Sequence, residues 1–119
     1  MDTKKELFNM CKRIAEEIGT GNYKMEELEI EELEIEEWDG PCAGHYLDDA
    51  LDIEYTVSGR GDYLGSRVCV AFGGPNIYID TRNRKVQGYW GGDYVERSYS
   101  RDALGLDDFL EDTFDCLRG

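Results

Sequence analysis

Between residues 52 and 99 the chain runs through a series of short apolar alternations, each closed by a turn signal, and this series limits the fold more than any other feature. DIEYTV starts as a strand. In SRVCVAF, Val68, Val70 and Phe72 alternate with Arg67, Cys69 and Ala71, the period of two that sends successive side chains to opposite faces of a sheet. Gly73-Gly74-Pro75-Asn76 predicts a tight turn, NIYID a further strand, and Thr81–Lys85 a turn into VQGYW. Gly91-Gly92 breaks that run. YVERSY follows, with Tyr94, Glu96 and Ser98 on one face and Val95, Arg97 and Tyr99 on the other. Runs at this spacing read as an antiparallel meander.

Helical patterns bracket the meander. In TKKELFNMCKRIAEEIG, Thr3 and Glu6 form a capping-box pair. Leu7, Met10, Cys11, Ile14, Ala15 and Ile18 recur on one face, and Gly19 can end the helix. A second helix is predicted from Asp102 or Leu106 to Leu117, with Leu106, Phe109, Leu110, Thr113, Phe114 and Leu117 as its stripe and acidic residues early, where the helix dipole favours them. HYLDDAL predicts a short helical turn. The fold class expected is α+β: an antiparallel three- to five-stranded sheet packed on one face by N- and C-terminal helices. Residues 1–119 read as a single domain with an acidic segment at 25–59.

Charge is the second constraint. The formal net charge is −14, and residues 25–59 hold thirteen acidic groups and no Lys or Arg. Such a field repels nucleic-acid phosphates and anionic membranes, so neither is expected as a direct partner; it favours a basic protein surface, divalent cations or simple solubility. The densest stretch is EELEIEELEIEEWD, residues 26–39. Its five-residue repeat matches neither a helical nor a strand period cleanly, and a strand bent at the second acidic pair gives its apolar residues a common face. Three readings stay open for it. It is a solvated acidic face, a rigid display of carboxylates imitating duplex phosphates, or a docking segment for another basic partner. Under the second, Glu26, Glu27, Glu29, Glu31, Glu32, Glu34, Glu36, Glu37 and Asp39 supply the charge, and Trp38 or Tyr89 and Trp90 anchor the contact.

The chemistry-bearing residues argue against an enzyme. Cys42, His45, Asp48 and Asp49 are ligand-like at short spacing, but the complementary pair of a zinc site is missing and His45 is the sole histidine. A thiolate at Cys42 is disfavoured by the surrounding negative charge. No metal or cofactor is expected. Cys11, Cys69 and Cys116 read as buried free thiols. Gly59-x-Gly61 and Gly73-Gly74 precede no helix, so neither is a phosphate loop. Arg60-Gly61-Asp62 spells a cell-adhesion tripeptide, but no secretion signal precedes it, and no apolar run suits a signal peptide or membrane span. A cytoplasmic location is expected.

The aromatic stretch GYWGGDYVERSY reads partly as sheet core and partly as a recognition edge beside Arg97 and Arg101. Gly73-Gly74-Pro75-Asn76-Ile77-Tyr78-Ile79-Asp80-Thr81 and Gly88-Tyr89-Trp90-Gly91-Gly92-Asp93 lie in a region, residues 49–100, that resembles small acidic proteins of bacterial mobile elements and phages. That resemblance implies an anti-defence role, such as inhibition of a restriction or CRISPR protein. An accessory or structural protein of a mobile element is the alternative.

Overall fold

The computed structural model describes residues 3–23 and 42–118. The acidic stretch 26–39, including every carboxylate assigned to phosphate imitation and Trp38, lies outside the described residues.

Helix α1 (Thr3–Thr20) is followed by a one-turn helix α2 (Ala43–Tyr46) and strands β1 (Asp52–Val57), β2 (Tyr63–Ala71), β3 (Asn76–Asp80), β4 (Lys85–Trp90) and β5 (Asp93–Ser98). Helix α3 (Leu106–Arg118) comes last. The strands form one antiparallel sheet in the order β1-β2-β3-β4-β5. This is the expected meander at the upper end of the expected strand count. The turns between strands are too short for a crossover, which leaves antiparallel neighbours as the available pairing.

Strand register sorts the side chains. Ile53, Val68, Ile79 and Val86 are paired across β1 to β4, and Ile77 aligns with Gly88 and Val95. These residues face the helices, and Val68, Ile79 and Val86 are fully buried. From α1, Leu7, Cys11, Ile14, Ala15 and Ile18 enter the same core. The approach is close at Gly88, where an added Cβ would sit 2.7 Å from both Cys11 Sγ and Leu7 Cδ1. A glycine is required there because the helix rests directly on the strand. Helix α1 continues past Gly19 to Thr20; Gly21, at φ 73°, accepts the left-handed turn and donates its N–H to the Glu17 carbonyl at 2.9 Å.

Helix α3 joins the same face by a mixed contact. Leu106 and Leu110 are fully buried. Asp107 Oδ1 accepts hydrogen bonds from Tyr63 Oη at 2.7 Å and Thr81 Oγ1 at 2.9 Å. Thr81 Oγ1 in turn accepts from the Ser66 N–H at 2.8 Å. Since the Tyr63 hydroxyl proton goes to Asp107, the Ser66 hydroxyl, 2.7 Å away, is the donor to Tyr63. Asp102 holds the start of α3 through the N–H groups of Leu106 (2.9 Å) and Asp107 (3.0 Å).

Four expectations need correction. The helical turn expected at HYLDDAL lies earlier, at Ala43–Tyr46, wedged between the long helices: Tyr46 Oη donates to Glu17 Oε1 at 2.7 Å and Gly44 lies against Phe109. Phe72 does not share a buried face with Val68. A register shift between Cys69 and Ala71 sets Ala71 opposite Ile77, brings Ala71 to the core and leaves Phe72 73% exposed. On α3, Phe109 and Leu117 are exposed although they fall on the apolar stripe: Phe109 lies against Gly44 of α2, and Leu117 is in the last turn, beyond the Phe114 contact with Tyr55 and Tyr63. Cys116, near that same end, is exposed rather than buried, whereas Cys11 and Cys69 are buried as expected.

Candidate interaction surface

All three helices lie on one face, so the opposite face of the sheet is covered by no described element. Its residues form cross-strand rows. One runs Ser98, Lys85, Asp80, Arg67, Glu54 from β5 to β1, alternating in sign over the four charged members. The next runs Glu96, Gln87, Tyr78, Cys69, Asp52. A third joins Asn76, Tyr89 and Tyr94. Opposite charges on neighbouring strands stabilise such a row.

Side chains engage both within and between these rows. The Arg67 guanidinium lies 3.7 Å from the centre of the Tyr78 ring. Tyr78 meets Tyr89 edge-on at 6.1 Å, and Tyr89 meets Tyr94 at 4.8 Å with the rings tilted by 51°. Glu96 accepts from Tyr94 Oη at 2.7 Å and from Lys85 Nζ at 3.3 Å. The tyrosine hydrogen bond, with the ammonium behind it, holds the Glu96 carboxyl below its ordinary pKa, and the same bond pushes Tyr94 up to about 12. Tyr89 and Tyr94 remain exposed. The surface is therefore aromatic towards β4 and β5 and charged towards β1.

Sequence reasoning paired Tyr89 with Trp90 as anchors. The structure places them on opposite faces, as adjacent strand residues must be: Tyr89 on the uncovered face, Trp90 packed against the core with Nε1 beside Gly74. Tyr78 and Arg67 were missed. They lie on different strands, and only the register brings them together. The alternation within NIYID, which puts Asn76, Tyr78 and Asp80 on one face, was the available signal.

On the helix side a cleft of about 430 Å³ lies between α1, α2 and the ends of β2 and β3, with Ile14, Val70 and Ile77 among its apolar residues and Glu17, Tyr23 and His45 among its polar ones. Tyr23 Oη and His45 Nδ1 are 2.6 Å apart, with the rings stacked at 5.6 Å. This engages His45 Nδ1 with a tyrosine hydroxyl. Cys42 is exposed at the start of α2, and Asp48 and Asp49 are exposed beyond it. Among the described residues no group of three or more His, Cys, Asp or Glu side chains converges as a metal site. Among them, also, no helix is long and apolar enough to cross a membrane. Comparison of the chain with family models, with curated proteins and with solved structures found no match.

Proposed function

We propose that this is a non-enzymatic binding protein whose partner presents a basic protein surface. The observation that carries this reading is the unequal use of charge. Five cations are committed to internal contacts: Arg67 over Tyr78, Arg97 over Phe8, Arg118 over Phe114 and against the Gly61 carbonyl, Arg84 on the Ser100 carbonyl, and Lys85 on Glu96. Between described residues one ion pair closes within 4 Å, Lys85–Glu96. Asp48, Asp49, Asp52, Glu54, Asp108, Glu111, Asp112 and Asp115 are exposed and outside it. Exposed carboxylates of this kind steer a cationic partner towards the chain. In its narrower form the partner is a nucleic-acid-binding protein of bacterial defence, and residues 26–39 occupy the cleft that duplex phosphates would fill.

The test compares wild type with a variant carrying Gln at Glu29, Glu31, Glu34 and Glu36. Both are used to capture partners from nuclease-treated bacterial lysate at low and moderate salt, and affinity is then measured on the purified partner. The narrower form predicts one saturable basic protein, displaced by duplex DNA and lost in the variant. A basic partner retained by the variant and indifferent to DNA removes the mimicry and keeps the binding. Equal weak capture of many basic proteins by both forms reduces the charge to solubility, the role of an accessory protein.

A further inference from the structure

The two edges of the sheet are not equivalent. At β5 the edge is backed by α1 packed on the strand, and its open-face carboxylate, Glu96, is taken by Lys85 and Tyr94. At β1 the edge carries Asp52 and Glu54, both exposed and neither within 4 Å of a described cation. The cross-strand rows of the open face end on these two carboxylates. In the longer row the sign alternates through Lys85, Asp80, Arg67 and Glu54, so the next position outward calls for a cation.

We propose that β1, the edge of the sheet among the described residues, is a docking edge, on which an extended segment of a basic partner adds as a further strand with Lys or Arg side chains beside Asp52 and Glu54. The proposal rests on the reading that the partner is basic, and it gives that partner a conformation and a register. Backbone hydrogen bonds supply affinity in such an addition, while alternate side chains supply selectivity. The helix-side positions of β1 fit the pattern. Ile53 and Tyr55 are half-buried, Phe114 of α3 packs on the Tyr55 ring at 5.3 Å, and Leu117, a turn further on, is 72% exposed. An apolar residue between two basic ones would therefore turn towards an apolar margin. A register shift between Thr56 and Val57 bends the strand away from regular pairing and confines docking to Asp52–Thr56. The same carboxylates exclude a second copy of this chain, since antiparallel pairing of β1 with itself would bring acidic side chains of both copies together on one face.

The experiment uses the full chain, isotope-labelled, and two synthetic ten-residue peptides, one alternating Lys with Val and the other Glu with Val. The expected result is saturable binding of the Lys peptide alone, with amide exchange slowed in residues 52–56. An Asp52→Lys/Glu54→Lys variant, altered only at exposed positions and checked for an unchanged amide spectrum elsewhere, should lose the Lys peptide by about tenfold or more and gain the Glu peptide. Binding of the Lys peptide with protection on other strands overturns the edge and leaves the basic-partner reading standing. Binding at β1 that survives the charge reversal overturns the assigned recognition. If neither basic peptide nor any basic protein binds, both fall together.

Discussion

The two long helices cover the same sheet face by different chemistry. Helix α1 lies on β4 and β5 through an almost wholly apolar seam, close enough at Gly88 to touch backbone. Helix α3 is fixed at its first turn by a hydrogen-bonded group, Tyr63, Ser66, Thr81 and Asp107, and then runs out over the β1 side with exposed apolar residues. An apolar seam depends on shape and tolerates no missing volume. A polar seam depends on each member keeping its partner, because an unpaired buried polar group costs more than the pair contributes. The first arrangement closes the β4–β5 side of the sheet under packed side chains; the second leaves apolar residues of α3 exposed.

The largest effect is expected in the apolar seam. Leu7 is fully buried where α1 meets Gly88, so Leu7→Ala should cost about 2–5 kcal/mol in denaturant unfolding. A cost below 1 kcal/mol would mean that α1 is not seated as described.

Asp107→Ala is next, at about 1–3 kcal/mol, since it removes the acceptor that the Tyr63 and Thr81 hydroxyls share and leaves both with Ser66 alone. This seam also has a pH signature. Burial, more than any single hydrogen bond, pushes Tyr63 up to about 12 from its ordinary 10. The unfolded chain ionises this tyrosine first, so the contribution to stability is present below pH 10 and is lost as pH rises towards 12. Tyr63→Phe should flatten that part of the stability curve; an unchanged alkaline slope would assign it to other groups.

These two seams were unequally legible. The α1 stripe follows from helical periodicity, and all its predicted members except Met10 are buried. Nothing in a period reveals that Thr81, in a turn, and Tyr63, before the alternating run begins, converge on an aspartate 26 and 44 residues away. The meander was read correctly because turns and alternation are local. The loss of Phe72 from the core was not, because a single extra residue in β2 changes the face of all that follows it. The same limit applies to the candidate surface. Tyr89 stood out by composition, while the rows ending at Asp52 and Glu54 exist only once register is known.

A smaller effect is expected at Tyr99, on the α3 side. Its ring is buried and its hydroxyl has no hydrogen-bond partner among the described residues. Burial, with Asp102 and Asp107 nearby, pushes its pKa upward. Tyr99→Phe removes the stranded hydroxyl and should leave stability unchanged or raise it by up to about 1 kcal/mol. A loss of that size would show that the hydroxyl is paired in solution.

The smallest effect belongs to the uncovered face, and it is electrostatic rather than a matter of folding. Glu96 is exposed, yet Tyr94 and Lys85 together lower its pKa. Whatever stability the arrangement adds is present above the ordinary carboxylate pKa and lost as pH falls through the lowered one. In Tyr94→Phe the larger contribution goes and Lys85 alone remains, so the Glu96 pKa measured by NMR should rise towards, without reaching, its ordinary value. Tyr89 would lose no ring contact, since phenylalanine keeps the tilted stack. If the Glu96 pKa did not move, the Tyr94 hydroxyl would not be on Glu96, and Lys85 alone would hold that carboxylate. The asymmetry that directs a basic strand to β1 would then rest on that single ion pair.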